Sequence, residues 1–125
     1  MNPATILLVD DDDGVRRILR KVLEAQSYRV LEHGSPHVAC AVFDANAAAV
    51  DLLVTDLKMP GMSGQEVAAH VWAARPELGV IFISGYTDHT YAEKLNGPRS
   101  RFLEKPFASD LLLQQVIELL DAARP

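Results

Sequence analysis

The stretch of sequence that decides the fold is Ile6-Leu7-Leu8-Val9-Asp10-Asp11, a short apolar run that ends abruptly in acids. An unbroken apolar run of this length is typical of a strand buried on both faces of a parallel sheet. From Val15 to Leu23 the period changes, because apolar residues then recur at helical spacing with basic residues on the other face. The segment therefore predicts a buried strand followed by an amphipathic helix, which Asp12 or Asp13 is placed to cap.

The same alternation of strand and helix continues along the chain. Further strands are predicted at residues 28–31, 51–55, 80–83 and 101–103. Helices are predicted between them, one opened by Ser35-Pro36 and continuing to about residue 45, one capped by Ser63 and ending near residue 75, and a short one at about 88–95. Ser109 or Asp110 is placed to cap the last helix. Its predicted apolar stripe consists of Leu112, Leu113, Val116, Ile117 and Leu120.

Strands that alternate with helices join through right-handed crossovers into a parallel sheet with helices on both faces. We therefore expect an α/β fold, a doubly wound five-stranded parallel sheet of the flavodoxin-like (βα)5 type. The chain should form a single domain over residues 1–125, because its length suits one sizeable core and no linker interrupts the pattern.

Composition limits the classes of function. The hydrophobic fraction of 49% argues against disorder, and the formal net charge of -5 gives no overall attraction to nucleic acid or anionic membranes. No apolar run reaches membrane-spanning length and the N-terminus lacks a signal-peptide pattern, so we expect a cytoplasmic protein without a nucleic-acid or membrane partner. Cys40, the only cysteine, lies in an apolar stretch and is predicted to be a buried small hydrophobe.

Polar side chains stand at the carboxyl ends of four predicted strands. They are Asp10 and Asp11, Asp56, Ser84, and Lys105. In a doubly wound sheet these ends meet at one edge, so the side chains should converge there. Clustered carboxylates repel one another and favour a cation, for which a hard divalent ion such as Mg2+ is the natural candidate. Zinc is disfavoured, because no histidine or cysteine lies at these strand ends.

Less specific interpretations exist for each residue taken alone. Asp12 and Asp13 are best explained as acids at a helix N-terminus, where they interact favourably with the helix dipole. A single Ser84 or Lys105 would be an ordinary strand-end residue, so their assignment depends on the whole set. The bond between Lys105 and Pro106 is a candidate for a cis peptide.

Four separate motifs resemble the receiver domains of two-component response regulators. They are Ile6-Leu7-Leu8-Val9-Asp10-Asp11, the run from Asp51 to Gly64, Phe82-Ile83-Ser84-Gly85-Tyr86 and Phe102-Leu103-Glu104-Lys105-Pro106-Phe107. The resemblance covers essentially the whole chain, and the four motifs occur in the right order. It implies a phosphoacceptor switch that is not an enzyme, with only self-catalysed phosphorylation and dephosphorylation.

The resemblance also implies roles for individual residues. Asp56 would be the phosphoacceptor. Asp10, Asp11 and Asp56, together with the backbone carbonyl of Lys58, would hold Mg2+ or Mn2+.

Four further residues receive roles from the same resemblance. Ser84 would donate a hydrogen bond to a phosphoryl oxygen, Lys105 would pair with the phosphoryl group, and Pro106 matches the proline of the family's cis peptide. Phe102 stands at the aromatic switch position, where the family often has tyrosine. Because phenylalanine lacks a hydroxyl, switching there would depend on ring packing, and a permanently buried core ring is an equal alternative.

The implied phosphate donor is the phosphohistidine of a sensor histidine kinase or of a histidine phosphotransfer protein. Because the chain ends at Pro125, directly after the last predicted helix, we expect its output to be a contact with a downstream protein. The implied output face combines the fourth predicted helix, the fifth strand and the fifth helix. It includes Lys94, Arg99, Arg101, Gln114 and Gln115.

Several alternatives stay open at this point. The motifs around Ser84 and Lys105 are also similar to receivers of hybrid histidine kinases, which act as phosphorelay intermediates, whereas Met1 close to the first strand favours a stand-alone regulator. An aspartyl-phosphate phosphatase of the haloacid dehalogenase kind needs an acid where this chain has Lys58. A flavin carrier would place its phosphate against the acids after the first strand. A binding module that no longer accepts phosphate is disfavoured by the intact set of site residues.

Overall fold

The computed structural model describes residues 3–85 and 98–122. Its strands are β1 (Thr5–Val9), β2 (Arg29–His33), β3 (Leu52–Asp56), β4 (Gly79–Ser84) and β5 (Ser100–Glu104). The helices within these residues are α1 (Asp13–Glu24), α2 (Pro36–Asn46), α3 (Gly64–Ala74) and α4 (Ser109–Ala122). The helix predicted at 88–95, which includes Lys94, lies outside the described residues, so α4 corresponds to the fifth predicted helix.

The strands form one sheet in the order β2-β1-β3-β4-β5, and every neighbouring pair is parallel. From β1 the chain moves outward to β2 on one side and then returns to β3 on the other side. The strand order therefore reverses between β1 and β3, which opens a crevice beyond their carboxyl ends. This topology confirms the predicted doubly wound, flavodoxin-like fold.

The core consists of two apolar layers, one on each face of the sheet. Alternate residues of β1 belong to opposite layers, with Leu7 and Val9 on one face and Ile6 and Leu8 on the other. The first layer also contains Phe43 of α2 and Val67 and Val71 of α3, and the second contains Leu19 and Leu23 of α1 and Leu112 and Val116 of α4. Each fully buried aliphatic side chain contributes about 1.5–3 kcal/mol relative to exposure, so both faces hold the strand ends in place.

Two predicted helix caps, Asp12 and Ser63, and the predicted start of α2 at Ser35-Pro36 are confirmed. The carboxylate of Asp12 accepts a hydrogen bond from the backbone N–H of Val15 at the start of α1, and Ser35 caps α2. Ser63 and Glu66 form a capping box at the start of α3, in which each side chain accepts a bond from the other residue's backbone. These side chains fix where the helices begin relative to the strands that precede them.

Other predictions about the elements were wrong in detail. Neither Ser109 nor Asp110 caps α4, since the helix begins at Ser109 and the carbonyl of Ala108 accepts the N–H of Leu111 and Leu112. On the same helix Ile117 is 52% exposed, whereas Leu119, outside the predicted stripe, is buried.

Ile18 on α1 is also exposed, at 63%, although it belongs to the helical stripe. The second strand begins one residue later and ends two residues later than predicted, because its pairing with β1 extends to Val9 opposite His33. The third strand runs from Leu52 to Asp56 rather than from Asp51, whose carboxylate instead accepts the Thr5 N–H at 2.7 Å.

Candidate functional site

Three carboxylates meet beyond the carboxyl ends of β1 and β3. Asp10 and Asp11 directly follow β1, and Asp56 is the last residue of β3. Each residue offers one oxygen, and these oxygens all lie within 4.8 Å of one another. The side chain of Asp10 is 1% exposed and that of Asp56 is 13% exposed, while Asp11 lies at the surface. The predicted acidic cluster is therefore present, with one edge open to solvent.

Lys105 brings the positive charge that the sequence analysis placed here. Its Nζ lies 3.4 Å from Oδ2 of Asp10 and 3.8 Å from Oδ2 of Asp56. Its backbone N–H donates to the carbonyl of Ser84 at 2.8 Å, which extends the pairing of β5 with β4 by one residue. The peptide bond from Lys105 to Pro106 is cis, as expected. The pairing of β5 with β4 thus places the Lys105 ammonium group beside the acidic cluster.

Competing influences act on the pKa of Asp56. Burial raises this pKa, and Asp10 and Asp11 raise it further because like charges oppose ionisation. Lys105 and the nearby backbone N–H of Leu57 lower this pKa. The net result is a pKa above the usual range, which agrees with the expectation that clustered carboxylates here favour either a proton or a cation.

The backbone around Asp10 is fixed by contacts that leave one side of the cluster accessible. The N–H of Asp10 donates to the carbonyl of His33 at 3.3 Å, which continues the pairing of β1 with β2. Oδ1 of Asp10 accepts the N–H of Asp12 at 2.9 Å. Arg16 reaches back from α1 and donates to the carbonyl of Asp10 at 2.7 Å.

The backbone of Asp56 is held in a comparable way. The N–H of Leu57 donates to the carbonyl of Ile83 at 2.9 Å, and the Thr55 hydroxyl donates to the carbonyl of Asp56 at 3.0 Å. Gly64, the first residue of α3, donates its N–H to the carbonyl of Leu57 at 2.9 Å and packs against the Asp56 peptide. The chain from β3 into α3 therefore folds tightly around the residue that carries the central carboxylate.

The remaining predicted residues lie around this cluster. Ser84 ends β4 and is 4% exposed, adjacent to Ile83, which pairs in register with Asp56. Lys58 is exposed in the loop after β3. Phe102 lies in β5 opposite Phe82, is partly buried and packs against the layer that contains α2 and α3.

Two residues of this site were missed by the sequence analysis. Arg16 was grouped with the basic residues on the polar face of α1, and Gly64 was quoted only as the end of the motif that begins at Asp51. A residue one turn into a helix can reach back to the preceding strand end, and this spacing was the only signal for Arg16. Gly64 gave no local signal, because its role depends on contact with Asp56 across the loop.

Comparisons with known proteins agree with this geometry. The chain matches the family model for the response regulator receiver domain over residues 6–117. It is 33% identical to the response regulator receiver protein CpdR of Brucella abortus, covering 94% of this chain and 98% of that protein. It is 34% identical to the sensor kinase CckA of the same organism, covering 94% of this chain but only 13% of the kinase.

The crystal structure of a response regulator receiver protein from Sinorhizobium medicae is similar, with a TM-score of 0.88, 30% identity and 98% of both chains covered. Among the described residues, no helix combines the length and apolar character needed to cross a membrane. The fold, the acidic cluster and the match over residues 6–117 lead to one conclusion. The chain belongs to the response regulator receiver domain family of two-component signalling.

Proposed function

We propose that Asp56 accepts a phosphoryl group from the phosphohistidine of a sensor histidine kinase or of a histidine phosphotransfer protein. The observation that carries this proposal is the convergence of three carboxylates and the Lys105 ammonium group at the point where the strand order reverses. Receiver domains in general interact with such kinases or phosphotransfer proteins and with downstream partners. That such a protein is the phosphate donor of this chain is part of the proposal.

The acidic cluster suits a hard divalent cation, which we propose to be Mg2+ or Mn2+. Such ions take oxygen ligands, and Mg2+ commonly uses one or two protein carboxylates together with water and phosphate oxygens. We assign Asp10, Asp11 and Asp56 as the carboxylate ligands and the backbone carbonyl of Lys58 as a further ligand. When bound, the ion supplies neutralisation of the charge on the phosphoryl oxygens.

In the proposed transfer, a carboxylate oxygen of Asp56 attacks phosphorus in line with the bond to the donor imidazole. The new O–P bond forms as the N–P bond breaks, and the electron pair of the broken bond stays on the imidazole nitrogen. Lys105, 3.8 Å from Oδ2 of Asp56, is placed to pair with one phosphoryl oxygen, and the Ser84 hydroxyl is assigned to another. Phosphoryl transfer depends mainly on such positioning and neutralisation, so a small cluster of residues is sufficient.

The same residues would convert phosphorylation into a change of partners. Ser84 ends β4 and Lys105 follows β5, so new bonds to the phosphoryl group would bias the loops after both strands between two arrangements. Phe102 in β5 is assigned as the aromatic ring whose packing accompanies this change.

The proposed output face includes the described part of β5 and α4. Arg101 Nε lies 4.0 Å from Glu118, and Gln114 donates to the same carboxylate group at 3.3 Å, so the strand and the helix are joined there. Arg99 directly precedes β5 and Gln115 lies on α4, and both are partly buried. Lys94 lies outside the described residues. A downstream protein would bind at this face.

We further propose that residues 1–125 form one receiver domain that acts in the cytoplasm as a phosphoacceptor switch, with no turnover of an external substrate.

A second candidate role is that of a phosphorelay intermediate in a hybrid histidine kinase. The similarity to the sensor kinase CckA, of which the chain spans 13%, favours this role. Onward transfer of phosphate from Asp56 to a histidine phosphotransfer protein would distinguish a relay intermediate from an output switch.

The decisive experiment is intact-mass measurement after incubation of the full chain with acetyl phosphate and Mg2+. The wild type should gain the mass of one phosphoryl group, and the gain should disappear with EDTA or in Asp56→Asn. Asp12→Asn is a matched control, because it removes a neighbouring acid while asparagine remains a good helix cap. A phosphoryl adduct in Asp56→Asn at the wild-type rate, or none in the wild type, would refute the proposal.

A further inference from the structure

Arg16 connects the end of β1 to two other elements through the three nitrogens of its guanidinium. Nη1 donates to the carbonyl of Asp10 at 2.7 Å, Nε donates to Glu32 of β2 at 3.2 Å, and Nη2 donates to Asp13 at 2.7 Å. The side chain is only 16% exposed. Because the guanidinium is planar and its donors have fixed directions, these three bonds define one orientation of the group.

The surroundings are shaped to accept the guanidinium in this orientation. A Cβ atom at Gly34, which follows β2, would lie 2.7 Å from Nη1 of Arg16, so glycine leaves the space that the group occupies. Glu32 and Asp13 offset its charge on two sides. The contact with Asp10 is therefore supported by residues from β2, from the following loop and from α1.

The carbonyl that Arg16 holds belongs to the peptide that joins Asp10 to Asp11. The orientation of this peptide sets the direction in which Asp11 leaves β1. Asp11 is exposed, and repulsion from Asp10 and Asp56 would turn its carboxylate away from the cluster if the peptide could rotate. A fixed peptide keeps all three oxygens within the observed 4.8 Å.

We infer that Arg16 is a positioning residue for the divalent-metal site, acting through the backbone of Asp10 without touching the ion. This inference rests on the metal site of the proposed function. Residues that orient metal ligands typically change metal affinity on the order of tenfold or more when they are replaced.

The sign of the effect separates positioning from simple electrostatics. Arg16 carries a positive charge close to a cation site, so removing only that charge would tighten metal binding by relieving repulsion. Removing a positioning contact would weaken metal binding instead. Replacement with glutamine removes the charge and leaves a shorter side chain that cannot make the three guanidinium contacts. The net change in metal affinity then shows which contribution dominates.

Arg20 provides a matched control on the same helix. Its Nη1 lies 2.9 Å from Oε2 of Glu32, the same carboxylate that Arg16 contacts, and its Nε lies 3.4 Å from Glu24. Among the described contacts Arg20 makes none with Asp10. Arg20→Gln therefore removes a positive charge and an ion pair with Glu32 while the bond of Arg16 to the Asp10 carbonyl is kept.

The test measures Mn2+ binding to the full chain by the electron paramagnetic resonance signal of the free ion. Circular dichroism in EDTA checks that each variant is folded. We expect Arg16→Gln to bind Mn2+ on the order of tenfold more weakly than wild type, and Arg20→Gln to stay within about twofold. Gly34→Ala, which displaces the guanidinium without removing it, should also weaken binding. This second variant decides the question if Arg16→Gln does not fold.

Each possible failure has a distinct meaning. A wild type that does not bind Mn2+ overturns both the proposed metal site and the inference. If the wild type binds Mn2+ and Arg16→Gln binds it equally or more tightly, only the inference is overturned. The same holds for Gly34→Ala where it replaces Arg16→Gln. Equal weakening in Arg16→Gln and Arg20→Gln also overturns it, because the effect would then belong to the shared contact with Glu32.

Discussion

Replacing Gly64 with alanine should destabilise the protein, although alanine is the better helix former. Gly64 is buried at the first position of α3, against the peptide that follows Asp56. A Cβ atom there would lie 3.0 Å from the carbonyl carbon of Asp56 and 3.1 Å from Cα of Leu57, and closer still to the Asp56 carbonyl oxygen. These are backbone atoms, so no flexible side chain can move aside to make room.

The expected magnitude is the difference between two opposing effects. Helix propensity favours alanine over glycine by at most about 1 kcal/mol. Overpacking against rigid surroundings costs about 1–3 kcal/mol and occasionally more, and a clash with backbone belongs at the upper end of that range. The free energy of unfolding should therefore fall by about 2 kcal/mol. With a urea slope of about 1.5 kcal/mol/M, the midpoint of unfolding would fall by roughly 1.3 M.

Trp72 provides the fluorescence signal for urea unfolding. Its indole N–H donates to the carbonyl of Leu78 at 2.7 Å, and its ring meets Phe82 edge to face at a centroid distance of 6.3 Å. Because both partners belong to the core layer beneath α3, unfolding should change the emission.

Gly14→Ala is the matched control for this prediction. Gly14 also lies in the first turn of a helix, but the nearest atom to a Cβ there is Oδ1 of Asp12 at 3.4 Å, an ordinary contact. The control should be as stable as wild type or up to about 1 kcal/mol more stable. A Gly64→Ala variant that unfolds at or above the wild-type midpoint, or equal losses in the two variants, would show that the close approach to Asp56 does not limit this position.

Three further predictions concern a pKa, a buried thiol and a helix cap. Because burial raises the pKa of Asp56, its charged form destabilises the fold, so without metal Asp56→Asn should be more stable than wild type at pH 7. Urea titrations should show this advantage shrinking as the pH falls through the Asp56 pKa, and an advantage that grows in acid would contradict the argument. The Cys40 thiol, whose pKa is raised by burial and by Asp44, should react with Ellman's reagent slowly in the native protein and rapidly in urea. Ser63→Ala removes the hydroxyl that accepts the Glu66 N–H, so the free energy of unfolding measured in urea should fall by about 1 kcal/mol. An unchanged free energy of unfolding would show that this cap does not stabilise the protein.

The fold was predictable because the signals for its elements are local. Unbroken apolar runs such as Ile6 to Val9 indicated strands buried on both faces, and the structure divides these residues between the two core layers. The caps Asp12 and Ser63 and the helix start at Ser35-Pro36 were also correct, since these signals depend only on neighbouring residues. The convergence of the acidic cluster followed from the topology, because parallel strands place their carboxyl ends at one edge.

The errors arose where tertiary packing decides the outcome. The stripe of α4 was predicted from helical spacing, but the sheet covers only part of it, so Ile117 is exposed and Leu119 is buried. The cap of α4 was assigned by residue type, whereas the helix begins at Ser109 and the carbonyl of Ala108 accepts its first hydrogen bonds. Neither outcome depends on the residue types in the helix alone.

The supporting contacts of the site share one property that explains why motif reasoning did not find them. Arg16 holds the carbonyl of Asp10, Ile83 accepts the N–H of Leu57, and Gly64 donates to the carbonyl of Leu57. Each contact acts on backbone and uses no carboxylate oxygen of Asp11 or Asp56. The fold can therefore hold mutually repelling carboxylates together while their oxygens stay available for the proposed cation and phosphoryl group. Hydrogen bonds to the carboxylates themselves would lower their pKa values, but would occupy the ligand positions that the proposed chemistry requires.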